Sequence, residues 1–481
     1  MNVVLYVMND LSHDARVIRE AQTLGAAGHR VTVIATTTGP EEPSGSRESR
    51  TGFDVVHVAV PRRWPLWYVW LKHPWRLARR AADELHGVVR RPKRLPQTLV
   101  LAALSLLSLP WMVVRATWDA FLREVLRRPA GPGPLDYILR WRAFHLGWAQ
   151  AAVALGPVAD IHHANDMDTL PAAIAGARRD GGRVIYDSHE IYLESRLHVR
   201  QPAWIRWLMR RWERAMVARA AAVVTVNEAC ATELVRRVRP RRVVVVHNCP
   251  PRPAAVAGHP SGHPPGQDRR LREAVGVPSP TPLVLYHGTF SPGRGLEQLA
   301  AALLQPGLAG VHAAFLGYGA QRGLLEELAA DPVYRGRIHV LPPVPPDEVV
   351  GWVAGADLDV MAIQPSSLNH VLSTPNKLFE ALAAGVPVVA SDFPGMRAIV
   401  IGEPDGAVGE VCDPTDPAAI AAAIERILDL ADEERAALRA RCRAAADRRW
   451  NWETESVRLV ELYASLDGAA ADARGTAAAL G

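Results

Sequence analysis

Cysteine is scarce in this chain: four residues among 481, Cys230, Cys249, Cys412 and Cys442, with no close pair among them. That spacing excludes a zinc knuckle or a CxxC redox motif and suits small core residues in a reducing compartment. Aromatic residues are also few, at 6%. No apolar run reaches the roughly 20 residues that a membrane-spanning helix needs. The longest uncharged stretch, Thr98 to Val114, has seventeen residues and is interrupted by Pro110. Residues 2–8 read as a strand and lack the basic, apolar and small-residue order of a secretory leader, so a cytoplasmic protein is expected. No cluster of acidic or His/Cys residues has metal-ligand spacing, and no metal is expected.

What remains is a soluble-type composition, 49% hydrophobic and 22% charged with a net charge of +5. Single cores stop growing near roughly 250–300 residues, so this length predicts two domains. The first sixty residues alternate strand, helix, strand, strand (2–8, 13–25, 31–35, 53–59). Val31-Thr32-Val33-Ile34-Ala35 has the continuous apolar character of a strand covered on both faces. The alternation resumes at 158–163 and continues with strands at 183–186, 222–226 and 243–246. Residues 250–282, rich in Pro, Gly, Ser and His, read as a linker. A second series follows at 283–286, 313–316, 338–341, 358–361 and 386–390, with helices near 416–429, 431–447 and 452–466.

The organisation expected is therefore α/β: two Rossmann-like, doubly wound lobes facing across a cleft. The first occupies 1–249 with an insertion at about 61–150. The second occupies 283–450. A C-terminal helix at 451–467, packing on one lobe or crossing back, and a flexible tail at 468–481 complete it. Open α/β sheets bind ligands beyond the carboxyl ends of their strands, which places the chemistry in the loops bordering that cleft.

The segment Ser373-Thr374-Pro375-Asn376-Lys377-Leu378-Phe379-Glu380 reads as a helix start, with Ser373 or Thr374 available as cap and Pro in the first turn. Its free N–H groups make an anion site, Lys377 adds a charge, and Glu380 lies on the same face three residues on. A lysine for phosphate and a carboxylate for vicinal hydroxyls is what a nucleotide diphosphate with its ribose requires. The Gly317-Tyr318-Gly319 turn misses the dinucleotide fingerprint, because its third glycine falls one position late at Gly323.

The string from Asn376 to Asp392, followed by Pro394-Gly395-Met396-Arg397, resembles the donor-site signature of the retaining GT-B glycosyltransferases of family 4. The turn His287-Gly288-Thr289-Phe290-Ser291-Pro292-Gly293-Arg294-Gly295 is similar to that family's phosphate-approaching turn, with Arg294 where a lysine is usual. The resemblance implies a nucleotide-diphosphate sugar as co-substrate, no bound metal, retention of anomeric configuration, and donor binding by Gly288, Arg294, Asn376, Lys377 and Glu380. It implies that Pro342-Pro343-Val344-Pro345 presents backbone to the base. His189, after a strand, matches the family's histidine that contacts the transferred sugar and assists the reaction. Arg16, Asp166 and Ser373 are further candidates for acceptor or sugar contacts.

Two departures stand out. The family's first glutamate slot holds Leu372, which leaves Asn369, His370 or Ser373 to read the sugar. The glycine-rich first turn is replaced by Asn9-Asp10-Leu11-Ser12, where Arg16 or the first-turn amides substitute, or Asp14 simply caps the helix. The insertion carries ten basic residues between Arg62 and Arg94, interleaved with Trp64, Trp67, Trp70 and Trp75. Such a mixture suits the headgroup zone of anionic membranes, so 61–115 is expected to dock the protein on the inner face of the cell membrane as a peripheral or monotopic element. The acceptor is then expected to be a lipid-linked or other glycan precursor of the cell envelope. No nucleic-acid partner is expected, because no recognition motif accompanies the charge. A non-catalytic membrane-associated binding subunit and a GT-B sugar-nucleotide epimerase are the competing readings.

Overall fold

The computed structural model describes residues 1–12, 14–39, 41–60, 103, 110, 134–199, 201–252 and 269–479. The basic and Trp-rich part of the insertion, and with it the expected membrane element at 61–115, lies outside the described residues apart from 103 and 110. Most of the 250–282 linker does too.

The first lobe is built on an eight-stranded sheet in the order β3-β4-β2-β1-β5-β6-β7-β8. Its strands are β1 (Asn2–Tyr6), β2 (Arg30–Thr36), β3 (Ser46–Arg50), β4 (Phe53–Val58), β5 (Ile161–Asn165), β6 (Arg183–Ser188), β7 (Ala222–Thr225) and β8 (Val243–Val245). All neighbours pair in parallel except β3 with β4. The second lobe carries a six-stranded sheet, β11-β10-β9-β12-β13-β14, with parallel pairing throughout. Its strands are β9 (Leu283–Thr289), β10 (His312–Tyr318), β11 (Ile338–Leu341), β12 (Leu358–Met361), β13 (Val388–Ser391) and β14 (Gly409–Cys412).

Helices cover both faces of each sheet, and cores form above and below it. In the first lobe these helices are α1 (Ala15–Ala26), α2 (Gly147–Leu155), α3 (Leu170–Asp180), α4 (Ala203–Val217) and α5 (Glu228–Val238). In the second they include α6 (Leu296–Ala302), α7 (Asn376–Ala383), α8 (Pro417–Leu428) and α9 (Asp432–Arg448). One first-lobe core gathers Tyr6, Ile34, Trp148 and Tyr186, and the opposite one Leu5, Leu11 and Val33.

Several expectations change. β3 (Ser-Arg-Glu-Ser-Arg) and β14 are strands that hydrophobic patterning does not announce, since one is polar throughout and the other is short. The region 134–150, at the end of the expected insertion, joins the first-lobe core. It forms a helix, a π-helical turn (Trp141–Leu146) and the start of α2, and it sinks Trp141 and Trp148 into the core. The linker contains a short helix, Arg270–Val275. The last helix runs as α10 from Trp452 to Ala479, past the 451–467 expected for it, and alanine sustains helix on its own propensity.

α10 packs on the first lobe although it follows the second. Trp452, Leu459, Leu462 and Tyr463 join the core that holds Val3, Leu5 and Val33. Trp452 Nε1 donates to Thr23 Oγ1 at 2.8 Å, and Tyr463 shares a 2.7 Å hydrogen bond with His163 Nδ1. Just before it, Trp450 belongs to the core of the second lobe, so the chain is anchored on both sides of the cleft.

Candidate active site

Between the lobes lies a cleft of about 1220 Å³, lined by the carboxyl ends of strands from both sheets. Its second-lobe wall begins with α7. Pro375 occupies the N-cap position and no side chain caps the helix. The expected capping by Ser373 or Thr374 is not made, because both hydroxyls are engaged elsewhere. Ser373 Oγ donates to His370 O at 2.9 Å, and Thr374 Oγ1 accepts from Asn227 Nδ2 at 3.1 Å. The positive end of the helix therefore opens on the cleft, with no side-chain acceptor capping it among the described residues.

Lys377 stands one residue into that helix. It is only 9% exposed, its Nζ lies 3.4 Å from the centroid of the Tyr286 ring, and it has no hydrogen-bond partner among the described residues. Burial, together with Arg294, lowers its pKa to about 7 against the opposing pull of Asp359 and Glu380. A buried ammonium without an anion is costly, and the arrangement calls for one from outside.

Glu380 is fastened from behind. Its Oε2 lies 2.9 Å from His287 Nε2, whose Nδ1 lies 3.0 Å from the fully buried Asp359 Oδ2. Burial works against the imidazolium, but Asp359 and Glu380 hold the His287 pKa up at about 9. His287 in turn lowers the Glu380 pKa, although burial pushes it up. Glu380 is thus an oriented carboxylate that keeps an oxygen for the cleft.

Arg294 lines the same wall from a turn that requires glycine. Gly295 has φ +79°, and a Cβ there would lie 2.0 Å from Ala362 O. Gly288, at φ +109°, brings the backbone at the end of β9 beside Lys377. Gly317, Tyr318, Pro343 and Val344 continue the lining.

The first-lobe wall is organised by a buried charge network. Arg16, 3% exposed, forks onto Asp187 through Nε (3.1 Å) and Nη2 (2.9 Å to Oδ2, 3.2 Å to Oδ1), and its Nη1 donates to Val246 O at 2.8 Å. Asp187 Oδ2 lies 3.1 Å from His189 Nε2, and Asp166 Oδ2 lies 3.7 Å from His189 Nδ1. Burial opposes the charge, yet Asp187 and Asp166 hold the His189 pKa at about 10. The two carboxylates favour the protonated, hydrogen-bond-donating form of the His189 ring.

Arg16 spends its donors on this scaffold and so positions His189 through Asp187. Asp166 does not line the cleft. The φ of +65° at Asp166 and its backbone bond to Asp187 O (2.8 Å) set it as a partner of His189. At the first turn Asp14 caps α1 by accepting from Val17 N at 3.2 Å.

Glu20, His163 and Asp187, all buried, bring ligand-type atoms within 4.8 Å of one another. The Arg16 guanidinium lies 3.0 Å from Glu20 and 2.9 Å from Asp187, so a fixed cation already occupies the position a metal would compensate.

Hydrogen bonds cross the cleft. Asn369 Nδ2 donates to Glu190 Oε2 at 2.6 Å, and its Oδ1 accepts from Ile191 N at 3.1 Å. Asn227 Nδ2 donates to Leu372 O at 2.8 Å, and Asn248 Nδ2 donates to Asn376 Oδ1 at 2.9 Å. The Leu372 side chain packs against the first-lobe core, so the position where a glutamate is usual became a lobe contact.

The structure brings His189, Arg16, Gly288, Arg294, Ser373, Asn376, Lys377 and Glu380 onto one cleft. Sequence reasoning missed His287, Asp359, Asp187 and Glu190 as parts of it. All four lie in or just after strands, in β9, β12 and β6, which is the signal that could have found them.

Two family profiles match the chain: Glycosyltransferase Family 4 over residues 110–249 and Glycosyl transferases group 1 over residues 281–430. Together they take in more than half of its length. A D-inositol 3-phosphate glycosyltransferase of Xylanimonas cellulosilytica is 31% identical over 198 residues, 40% of this chain and 45% of that protein. One of Corynebacterium urealyticum is 32% identical over 215 residues, 42% of this chain and 48% of its own. The matched region thus spans about half the length of these curated relatives.

Among solved structures, sucrose-phosphate synthase from Thermosynechococcus elongatus superposes with a TM-score of 0.61 at 17% identity, covering 98% of this chain and 100% of that one. The Anabaena protein HepE in complex with UDP-glucose gives 0.58 at 16%, covering 97% and 100%. These likenesses show the GT-B fold, two α/β lobes about a cleft. With both lobes matched by their profiles, the chain belongs to the family 4, group 1 glycosyltransferases.

Proposed function

We propose that the protein transfers a sugar from a nucleotide-diphosphate sugar to an acceptor hydroxyl. The observation that carries this reading is the unpartnered, buried Lys377 at the uncapped start of α7, beside a Glu380 held in place by His287 and Asp359. The helix end, Lys377 and Arg294 receive the diphosphate, and Glu380 takes the ribose hydroxyls. As the bond from the anomeric carbon to the diphosphate oxygen breaks, negative charge grows on the leaving group. Arg294, Lys377 and the helix N–H groups stabilise it without a resident metal. His189 donates to the transferred sugar, oriented by Asp187 and Asp166. Family membership supports transfer with retention of anomeric configuration.

The sugar's remaining hydroxyls fall to Glu190 and Asn369, which meet across the cleft beside Leu372. For the acceptor, the Trp- and Arg-rich residues 61–115 favour a lipid-linked or glycan precursor of the cell envelope, met at the inner face of the membrane by a peripheral enzyme. Among the described residues no helix is long and apolar enough to cross a membrane. The names of the curated relatives favour a second reading, a phosphorylated polyol acceptor.

The test is a thermal-shift screen of nucleotide sugars. A bound donor stabilises by RT ln(1 + [L]/Kd), about 2.7 kcal/mol at a hundredfold excess over Kd, which is several degrees. One donor is expected to shift the melting temperature while its free sugar does not. No shift with any nucleotide-diphosphate sugar overturns the reading.

A further inference from the structure

We infer that the outer face of α4 is a docking surface for an anionic lipid bilayer, separate from the 61–115 segment. α4 is amphipathic in an unusual sense. Its inner face buries Ile205, Met209, Glu213, Met216 and Val217 against the first lobe. Its outer face exposes Trp204 (57%), Trp207 (59%) and Leu208 (47%). Positions 204, 207 and 208 follow i, i+3, i+4 spacing and make one apolar stripe. A folded domain in water gains nothing by presenting two tryptophans side by side in this way.

The charge on the helix matches the same partner. Arg211 and Arg214 are exposed, Arg206 and Arg210 are paired with Glu194, and the helix's single acid, Glu213, is 5% exposed and accepts a 3.1 Å hydrogen bond from Tyr186. The Arg211 guanidinium lies over the Trp207 ring at 5.0 Å from its centroid, so cation and indole share one patch. Exposed indoles bordered by arginines are the composition that partitions into the interface of anionic membranes. An acidic protein surface would suit the arginines but not the apolar stripe.

Position ties the surface to the cleft. Glu194 holds α4 by ion pairs to Arg206 (3.2 Å) and Arg210 (2.8 Å), and it sits on the short segment that continues from His189 and Glu190. Trp212 of α4 packs edge-on against Trp141 at 5.1 Å. A bilayer seated on α4 therefore lies next to the acceptor wall. This placement rests on the proposed membrane acceptor only for its purpose. The binding surface itself stands on α4.

The experiment is flotation of the full-length protein with phosphatidylglycerol or phosphatidylcholine vesicles at low and high salt. Wild-type protein is expected to float with phosphatidylglycerol vesicles and to be released by salt. W204S/W207S and R211E/R214E, whose side chains are exposed, are expected to lower the partition coefficient at least about tenfold, with unchanged melting temperature. The same protein carrying serine for Trp64, Trp67, Trp70 and Trp75 separates the two surfaces: flotation that persists and still falls on adding W204S/W207S supports α4. Flotation of both α4 variants equal to wild type overturns the inference, as does retention of wild type by DNA but not by vesicles. Donor-induced thermal shifts report independently on the cleft.

Discussion

At the scale of single residues, function and stability pull against each other at Lys377. Its pKa is 10.5 in the unfolded chain and about 7 in the folded protein. Between those values the unfolded chain holds the extra proton, so stability rises with pH across that window. The penalty of the buried ammonium is fully present below pH 7 and fades above it. Lys377→Met is therefore expected to stabilise the ligand-free protein at pH 6 by on the order of a few kcal/mol, seen as a higher melting temperature. The same variant is expected to lose the shift caused by donor. Calorimetry at pH 6 and pH 9 checks both, and a variant less stable than wild type at pH 6 contradicts the account of Lys377 as an uncompensated charge.

At the scale of elements, most strands were legible because parallel strands buried on both faces are near-continuous apolar runs, as in Val31-Thr32-Val33-Ile34-Ala35. β3 was not legible, since an edge strand of Ser-Arg-Glu-Ser-Arg is held by backbone pairing to β4 rather than by burial. At the site, the Lys377 and Glu380 pair could be read from helix spacing. The His287 and Asp359 support could not, because β9 and β12 become neighbours only in the folded sheet. The same holds for Arg16, whose link to Asp187 depends on residues 171 apart in sequence.

The turn that carries Arg294 is the element most sensitive to a single methyl group. Gly295→Ala places a Cβ against the backbone of Ala362 at a positive φ, a strain of roughly 1–3 kcal/mol. Donor affinity is expected to fall at least about tenfold as Arg294 shifts. Gly310→Ala, where a Cβ meets nothing within 4 Å, is the control. Equal donor affinity in the two variants, read by titration calorimetry, contradicts the role given to the turn.

At the scale of the whole molecule, two separately cored lobes are joined by α10 and by hydrogen bonds from Asn227, Asn248 and Asn369 across the cleft. The proposed transfer uses both walls, with the diphosphate on the second lobe and His189 on the first. The most direct test is release of nucleoside diphosphate when a donor found by thermal shift is mixed with acceptor-bearing membranes. Wild-type protein and a folded Glu380→Ala variant are compared. The account predicts release by wild type, coupled to sugar incorporation, and a drop of about a hundredfold or more in the variant. Equal rates in the two proteins, or no release by wild type, would contradict it.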